Sequence, residues 1–363
     1  MNGTGIDDRV ISAGADMTGS AREIGSDGEI GSDGETGSEA DDGNAGRARS
    51  PLVVVTGAGG FIGRHLVRAL RESGYRVRAV TRTAAPTDHR NVLHPGLSPD
   101  ADWQPAVAGA DALVHLAGLA HLPLDNHAMR RQLRRLNVLS TQRLATAAAQ
   151  AGVRDFIFMS SIKAVSDHSD TTPLTEDDPP SPEDCYGLAK LATERKLHRL
   201  GRTASAMRII VLRPTLVYGP GVGANFAALI GLVRRGLPLP LAAIHNRRSL
   251  LYIGNLTAAV LRCLARADVP SGTWHLSDGA AVSTPDLIRA IAHAQGRRAR
   301  LVGMPVQWLA LLARAAGRQD QLARLTGSLE VSNQHFCRTF DWHPPFTLQQ
   351  GLQATLGFAT GPA

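Results

Sequence analysis

The feature that most constrains the fold is a glycine-rich turn that joins a strand to a helix. A β-branched run from Leu52 to Thr56 ends in Gly57-Ala-Gly-Gly60-Phe-Ile-Gly63, and apolar residues then recur at helical spacing. Gly57 allows a tight turn, Gly60 lets a ligand approach the backbone, and Gly63 lets the helix pack against the strand. Because a helix start presents unpaired N–H groups, the turn predicts a site for the pyrophosphate of a dinucleotide. The expected contacts are Gly57, Gly60, Phe61, Ile62 and Gly63.

Predicted strands and helices alternate from the glycine turn onward. The apolar runs predict strands at 52–56, 76–81, 110–116, 155–160 and 207–212, and helices at 61–73, 126–151 and 183–200. Such alternation is typical of the α/β class, with a doubly wound parallel sheet of the Rossmann type and helices on both faces. After Pro214 the pattern loosens, with late strands expected near 250–253 and 273–276 and mostly helix over 283–360.

These patterns divide the chain into three predicted parts. Residues 1–50 form an acidic, Gly/Ser-rich tail, which we expect to be disordered because few large apolar residues offset its ordering entropy. Residues 51–213 form a dinucleotide-binding domain, to which the strands near 250–277 return. Residues 214–360 form mainly a smaller, mostly helical substrate-binding cap.

The tail also separates the charges of the chain. The first 50 residues carry 11 acidic and 4 basic side chains, whereas the whole chain has a net charge of +7. The remainder therefore carries +14, which favours anionic ligands such as nucleotide pyrophosphates, although arginines scattered over a solvated surface give the same total. Dispersed arginines and an aromatic fraction of 4% give little support to nucleic-acid binding.

Cysteine content and hydropathy bear on the compartment. The three cysteines are far apart and fit neither a metal cluster nor a disulfide framework, so we expect no metal site and a reducing, cytoplasmic location. The N-terminus lacks the hydrophobic run of a signal peptide. No segment reaches about 18 uninterrupted apolar residues, so no membrane span is expected.

The second informative motif is Tyr186-Gly-Leu-Ala-Lys190, which follows Ser160-Ser161 at the end of a predicted strand. Tyr186 and Lys190 are four residues apart, so both face the same side of a predicted helix. We expect the ammonium and a bound nicotinamide cation to lower the pKa of the Tyr186 phenol, which then exchanges a proton at neutral pH. Ser161 can hydrogen-bond the same substrate oxygen. The chain has only three lysines, so Lys190 at this spacing favours a catalytic role over a solvated one.

The end of the second strand bears on the choice of dinucleotide. Enzymes selective for NAD place an acidic residue there, which binds the ribose 2′-hydroxyl. This chain has Thr81-Arg82 instead, and Arg82 can pair with a 2′-phosphate. The residues therefore favour NADP(H), while NAD(H) stays open because Arg82 can equally be a solvent-facing arginine.

These motifs resemble those of extended short-chain dehydrogenase/reductases in the NAD-dependent epimerase/dehydratase family of sugar-nucleotide enzymes. The resemblance covers roughly residues 52–355. The segments that carry it are Thr56-Gly57-Ala-Gly-Gly60-Phe-Ile-Gly63, Asp111-Ala-Leu-Val-His-Leu-Ala-Gly118, Asn137-Val-Leu-Ser-Thr141, Ser160-Ser161, Tyr186-x-x-x-Lys190 and Arg213-Pro-Thr-Leu-Val-Tyr-Gly-Pro220.

The resemblance implies roles for particular residues. The catalytic set would be Ser161, Tyr186 and Lys190. The segment Leu116, Ala117 and Gly118 would lie along the cofactor, which Tyr186 and Lys190 would also contact. Sugar-nucleotide contacts would fall on Asn225 and Arg248. The alternative for Asn225 is a helix cap, and the alternative for Arg248 is a solvated charge. A homodimer would form through the helices at 126–151 and 183–200.

Departures from the family pattern narrow the expected reaction. Sugar-nucleotide 4,6-dehydratases carry an acidic pair where this chain has Ile162-Lys163, so dehydration is disfavoured. Epimerases that hold NAD tightly usually have an acid where this chain has Thr81. The segments around 219–230 and 236–250 resemble those of 4-reductases that act on UDP-4-keto-6-deoxy-N-acetylglucosamine in the synthesis of surface polysaccharides such as lipopolysaccharide O-antigen.

Three functions stay open on the sequence. The first is reduction of the C4 ketone of a nucleotide-activated 6-deoxy sugar, giving a product of the UDP-N-acetylquinovosamine type. The second is a UDP-hexose 4-epimerase with bound NAD. The third, a non-catalytic dinucleotide sensor, is disfavoured because serine, tyrosine and lysine are all present.

Overall fold

The computed structural model describes residues 49–82, 91–93, 96–120, 126–203 and 206–357. The predicted disordered tail therefore lies outside the described residues, except for its last two. None of the helices in these ranges is long and apolar enough to cross a membrane.

Parallel strands form the centre of the molecule. In chain order the strands of the described residues are β1 (Leu52–Thr56), β2 (Arg76–Thr81), β3 (Asn91–Leu93), β4 (Ala112–His115), β5 (Asp155–Met159), β6 (Arg208–Pro214), β7 (Leu216–Tyr218), β8 (Leu250–Tyr252) and β9 (Gly272–Leu276). Seven of them make one sheet in the order β3-β2-β1-β4-β5-β6-β9, and every pair in it is parallel. β7 and β8 pair separately as a parallel ribbon.

Helices cover the sheet and build most of the C-terminal part. They are α1 (Phe61–Glu72), α2 (Gln104–Val107), α3 (His127–Leu133), α4 (Ser140–Gln150), α5 (Cys185–Thr203), α6 (Ala224–Arg234), α7 (Ile253–Ala265), α8 (Thr284–Ala294), α9 (Val306–Ala315), α10 (Gln319–Thr326), α11 (Gln334–Phe340) and α12 (Leu348–Gly357). A π-helical segment, Arg134–Leu139, connects α3 to α4, so the long helix predicted over 126–151 is continuous but changes its hydrogen-bonding pattern midway.

Two apolar cores lie on opposite faces of the sheet. All five residues of β1 are buried, and because side chains alternate along a strand, Val53 and Val55 join one core while Val54 joins the other. Helices α1 and α7 pack on the first face and α4 and α5 on the second. The predicted fold class, a doubly wound parallel sheet with helices on both faces, is confirmed.

The late strands go to two different places. β9 joins the central sheet beside β6, whereas β8 pairs with β7, which directly follows the carboxyl end of β6. Mostly helical structure follows over residues 284–357. The division into a dinucleotide-binding domain and a substrate cap stays a prediction.

Candidate active site

Two positions in the turn after β1 require glycine. Gly57 has φ +70°, and a Cβ there would lie 2.8 Å from the backbone nitrogen of Ala117. A Cβ on Gly63 would overlap the Gly57 carbonyl oxygen. α1 begins after Gly60 with no side chain capping it, so its first-turn N–H groups are available to bind an anion. This open cradle fits the predicted pyrophosphate, with Phe61 and Ile62 opening the helix.

The end of β2 lies beside the glycine turn. A Cβ on Gly59 would lie 4.0 Å from Cγ2 of Thr81, which is the last residue of β2. Arg82 follows directly and is exposed. The side chain predicted to discriminate between the two dinucleotides therefore stands next to the predicted phosphate site.

The segment Leu116–Gly118 runs along the other side of the same turn. The Leu116 amide donates to the Thr56 carbonyl oxygen at 3.2 Å. In the π-helical segment, Asn137 accepts a hydrogen bond from the Leu119 amide at 2.9 Å and donates one to its carbonyl oxygen at 3.0 Å. These bonds fix the loop after β4, which the sequence predicts to line the cofactor.

A buried histidine ties this region together and was not predicted. The ring nitrogens of His115 lie 2.6 Å from Oγ1 of Thr56 and 2.8 Å from Oγ1 of Thr141. Burial, and secondarily the charge of Lys190, lower the pKa of His115 to about 3. The imidazole is therefore neutral and links β1, β4 and α4 through hydrogen bonds.

Ser161, Tyr186 and Lys190 converge at the carboxyl end of β5. The Oγ of Ser161 caps a short 3-10 turn and accepts a hydrogen bond from the Lys163 amide at 3.2 Å. The Tyr186 hydroxyl, near the start of α5, hydrogen-bonds the Ser161 side chain. The Lys190 ammonium lies 5.7 Å from the centre of the Tyr186 ring. The structure thus brings the three predicted catalytic residues together.

The Lys190 ammonium is held by groups that the sequence did not single out. Nζ donates to the Met159 carbonyl oxygen at 2.7 Å and lies 4.6 Å from the centre of the Phe158 ring. The residue is 6% exposed, and this burial lowers the pKa of the amine to about 8, opposed by the charge of Glu194. Lys190 is therefore charged at neutral pH but close to its titration point.

The predicted lowering of the Tyr186 pKa depends on a bound nicotinamide cation and stays a prediction, whereas the chain by itself raises this pKa. Burial, followed by the negative charge of Asp184, raises the pKa of the phenol to about 12, and the hydrogen bond from Ser161 offsets only part of this. Lys190 does not reverse the effect, because its Nζ is directed to a backbone carbonyl and lies over the ring face. The tyrosine therefore holds its proton firmly at neutral pH.

A buried ion pair joins α5 to β6. The Arg213 guanidinium contacts Glu194 through Nη2 at 2.6 Å and Nε at 3.1 Å, and the two side chains are 7% and 2% exposed. Glu194 also accepts a hydrogen bond from the hydroxyl of Ser160. The pair connects α5, β6 and the end of β5, so it fixes Tyr186 and Lys190 relative to the sheet.

Lys163, at the position where dehydratases carry an acid, lies in a second charged cluster. Its Nζ pairs with Asp167 at 2.7 Å and with Asp184. The Asp184 carboxylate also accepts from the Gly187 amide at 2.7 Å in the first turn of α5. A Cβ on Gly187 would overlap the Lys163 carbonyl oxygen, so glycine is required for this contact. The cluster fixes the loop after Ser161 against the helix of Tyr186.

The two predicted sugar-nucleotide contacts lie on separate elements. Asn225 is exposed in the first turn of α6. Arg248 is half-buried, and its Nη1 donates to the Gly327 carbonyl oxygen at 3.1 Å. Burial and then Arg324 lower the pKa of Arg248, while the charge of Asp167 raises it, which places Arg248 within electrostatic reach of the Lys163 cluster. Among the described residues, Asn225 forms no hydrogen bond with Ser161, Tyr186 or Lys190.

Comparison with known proteins agrees with this geometry. The family model described as "NAD dependent epimerase/dehydratase family" matches residues 53–276, from β1 to the end of β9. The chain belongs to this family. A UDP-glucose 4-epimerase of Vibrio cholerae is 36% identical over 308 residues, which cover 84% of this chain and 94% of that protein. A ceramide reductase of Caulobacter vibrioides is 27% identical over 85% of this chain and 92% of its own length.

Solved structures share the fold. MoeE5, in complex with UDP-glucuronic acid and NAD, superposes with a TM-score of 0.68 at 27% identity and covers 85% of this chain and 98% of its own. The UDP-N-acetylglucosamine 4-epimerase from Bacillus cereus gives 0.70 at 20% identity, which shows the fold alone. Family membership confirms the predicted NAD(P)-dependent enzyme and its class of cofactor. The choice between NADP(H) and NAD(H) stays a prediction.

Proposed function

We propose that this family member reduces the C4 ketone of a nucleotide-activated 6-deoxy sugar with NADPH or NADH. The substrate would be of the UDP-4-keto-6-deoxy-N-acetylglucosamine type, and the product a UDP-N-acetylquinovosamine type used in surface-polysaccharide synthesis. The observation that carries the proposal is the convergence of Ser161, Tyr186 and Lys190 beside a glycine turn, next to which stands Arg82 and not an acidic residue. Reduction of a ketone consumes a proton, and the Tyr186 phenol can supply it.

Each triad residue then has a defined task. Tyr186 gives its proton to the C4 oxygen as negative charge develops there, and the Ser161 hydroxyl orients the same oxygen. The nearby Lys190 ammonium favours the phenolate that remains after proton transfer. A reduced nicotinamide, when bound, supplies the hydride for this chemistry. The glycine turn and the segment Leu116–Gly118 would hold the dinucleotide.

Substrate recognition is assigned to the C-terminal part. We infer that Arg248 binds the diphosphate of the sugar nucleotide, which its half-buried position and electrostatic link to the Lys163 cluster support. Asn225 would contact the nucleotide from α6. Dehydration is not proposed, because Ile162 is apolar and Lys163 is held by two carboxylates.

A UDP-hexose 4-epimerase is the second candidate. Its support is the 36% identity to the Vibrio cholerae UDP-glucose 4-epimerase. An epimerase would use Tyr186 first as a base and then as an acid, so the phenol does not separate the two reactions. The end of β2 favours the reductase, because Thr81 stands where epimerases that hold NAD tightly usually have an acid.

The decisive experiment compares the two reactions on one protein preparation. The purified protein is incubated with UDP-4-keto-6-deoxy-N-acetylglucosamine and either NADPH or NADH, and nicotinamide absorbance and product stereochemistry at C4 are followed. We expect oxidation of the reduced cofactor in equal amount to the product, with NADPH preferred because Arg82 stands beside the glycine turn.

The control reaction contains UDP-glucose or UDP-N-acetylglucosamine and no added cofactor. If the protein converts this substrate to its C4 epimer with NAD that has copurified, it is an epimerase and the proposed reductase is excluded. Arg82→Asp provides a matched test of cofactor choice, since it should shift preference from NADPH toward NADH by about tenfold or more.

A further inference from the structure

Helix α9 is apolar on more than one side. Leu309 is buried in the core, as one side of a surface helix should be. Trp308, Leu311 and Leu312 nevertheless have 61%, 59% and 57% of their surface exposed. Their spacing of three and four residues places them in one stripe along the helix. An ordinary surface helix has polar residues on its outer face, so this stripe requires an explanation.

Further exposed apolar residues lie close to the helix. Val302 precedes α9 and is exposed. The Val302 amide donates to the Leu239 carbonyl oxygen at 2.9 Å, which brings the exposed Leu237 near to Val302 in the fold. We call this set the α9 patch, and its members are Leu237, Val302, Trp308, Leu311 and Leu312. Val306 is exposed as well, but it lies on the opposite side of α9 and faces α10. An exposed apolar surface of this kind usually marks an interaction site.

A basic rim accompanies the patch. Between Leu287 and Gln319 the chain has six arginines and no aspartate or glutamate. Four of these arginines are exposed and form no ion pair with another residue in the described ranges; they are Arg298, Arg300, Arg314 and Arg318. An apolar stripe thus lies among positive charges for which the described residues supply no ion-pair partner.

We propose that the α9 patch docks the protein on the surface of an anionic phospholipid bilayer. Tryptophan and leucine on one face of a helix, with arginines beside them, is the pattern of a helix that lies in a membrane interface. The apolar side chains enter the boundary between headgroups and acyl chains, while the arginines meet lipid phosphates. The charge of +14 beyond residue 50 adds long-range attraction to the same surface.

A second copy of the chain is a poorer occupant of the patch. A two-fold symmetric contact brings the same surface of both copies together. It would therefore set two basic rims against each other, and like charges facing across an interface oppose association. The anionic bilayer satisfies both the apolar stripe and the rim.

Vesicle flotation with the full chain tests the proposal. Vesicles of phosphatidylglycerol and phosphatidylethanolamine should carry the protein upward, whereas phosphatidylcholine vesicles should not. Tryptophan emission gives a second readout, because Trp308 is exposed while the other three tryptophans, Trp103, Trp274 and Trp342, are 3%, 3% and 7% exposed. Binding should shift the emission to shorter wavelength, and the Trp308→Phe variant should lose that shift but still float.

Two pairs of variants separate the apolar and basic contributions. Leu311→Glu with Leu312→Glu should weaken flotation by about tenfold or more, while Leu216→Glu, at an exposed leucine outside the patch, should not. Arg314→Gln with Arg318→Gln should weaken flotation by several-fold. Arg68→Gln with Arg154→Gln removes the same charge elsewhere and should have a smaller effect.

Several results would overturn the proposal. One is failure of the wild-type protein to bind anionic vesicles at low ionic strength, and another is binding that the Leu311 and Leu312 substitutions leave unchanged. A third is a change in oligomeric state caused by those substitutions in the absence of vesicles, which would make the α9 patch an interface between copies. Thermal denaturation and NADPH binding of each variant show whether the fold is intact.

Discussion

At the active site, burial moves the pKa values of Tyr186 and Lys190 toward their neutral forms. It raises the phenol to about 12 and lowers the amine to about 8. At neutral pH the candidate site therefore holds a phenol and an ammonium side by side, which is compatible with the proton donation that we propose. The positions of both groups follow from one helix, since they are four residues apart on α5.

Substitution of Tyr186 tests its role as proton donor. Tyr186→Phe removes the hydroxyl and keeps the ring that contacts Lys190, so the fold and NADPH binding should be nearly unchanged. Turnover should fall by about 10²-fold or more, because no other hydroxyl replaces the donor at that position. Steady-state kinetics and fluorescence titration with NADPH check both parts, and near-normal turnover would remove Tyr186 from the proposed role.

The charge of Lys190 predicts a pH dependence. The amine loses its proton as the pH rises through about 8, so turnover should decline above that pH. An unfolded lysine keeps its proton to about 10.5, so the unfolded chain binds more protons between these values. The free energy of unfolding should therefore rise with pH between about 8 and 10, because the buried amine of Lys190 loses its charge in the folded protein first. In denaturant titrations, Lys190→Met should remove this rise of the free energy of unfolding with pH. Its turnover should be low and should no longer decline above about pH 8.

The sequence predicted the triad because spacing along one helix and proximity to a strand end are local properties. It did not predict the Met159 carbonyl or the Phe158 ring that hold Lys190, because those contacts join residues about thirty positions apart. Glu194 was recognisable in part, since it lies four residues beyond Lys190 on the same helix. Its partner Arg213 belongs to another strand, and only the fold brings the pair together.

Among the elements, six of the seven described strands of the central sheet were predicted to within two residues at each end, because buried parallel strands are continuous apolar runs between turn signals. The edge strand β3 was not predicted, since three residues carry too little pattern. The π-helical segment was not predicted, since a change in backbone hydrogen bonding leaves no mark on hydropathy. It carries Asn137, which fixes the loop after β4. The pairing of β8 with β7 was also missed, because three-residue strands carry too little pattern to specify a partner.

At the junction of β1 and α1, replacing two glycines of the same turn by alanine should have unequal effects on stability. Gly63→Ala should destabilise the protein by about 3 kcal/mol or more and abolish dinucleotide binding, because the new Cβ would overlap the Gly57 carbonyl oxygen. Gly59→Ala is the matched control, since its Cβ would meet only the Thr81 methyl group at 4.0 Å. Equal stability of the two variants in denaturant titrations would contradict this account of the turn.

For the whole molecule, the C-terminal residues could be assigned as helical but not arranged from sequence. Asn246 illustrates why, since its amide donates to the carbonyl oxygens of Leu325 and Gly327 at 3.0 Å each, about eighty residues away. Asn255 similarly binds the backbone of Phe346. Such contacts depend on the complete fold. The exposure of apolar side chains on α9 could not be predicted from sequence either. An apolar run by itself predicts burial, and only the fold shows which of its residues are covered.

Assembly is the last property that the fold allows us to predict. The helices expected to form a homodimer, α3 with α4 and α5, pack against one another within the chain, and Leu188 on α5 is 44% exposed beside them. Arg131 and Arg134 on the adjoining surface are exposed as well. A dimer through this face would bury Leu188 but bring arginines of two copies together, so its association should strengthen as salt screens their repulsion.

Substitution of Leu188 tests this interface. Leu188→Arg adds a positive charge where repulsion already opposes association, so it should convert the dimer to a monomer in sedimentation velocity at low salt. Leu216→Arg introduces the same charge at another exposed leucine, on β7, and should leave the dimer intact. A dimer that Leu188→Arg does not disturb, or one that dissociates as salt is added, would require a different contact surface. Such a result would leave the chemistry of Tyr186 unaffected, because the described triad is built from a single chain.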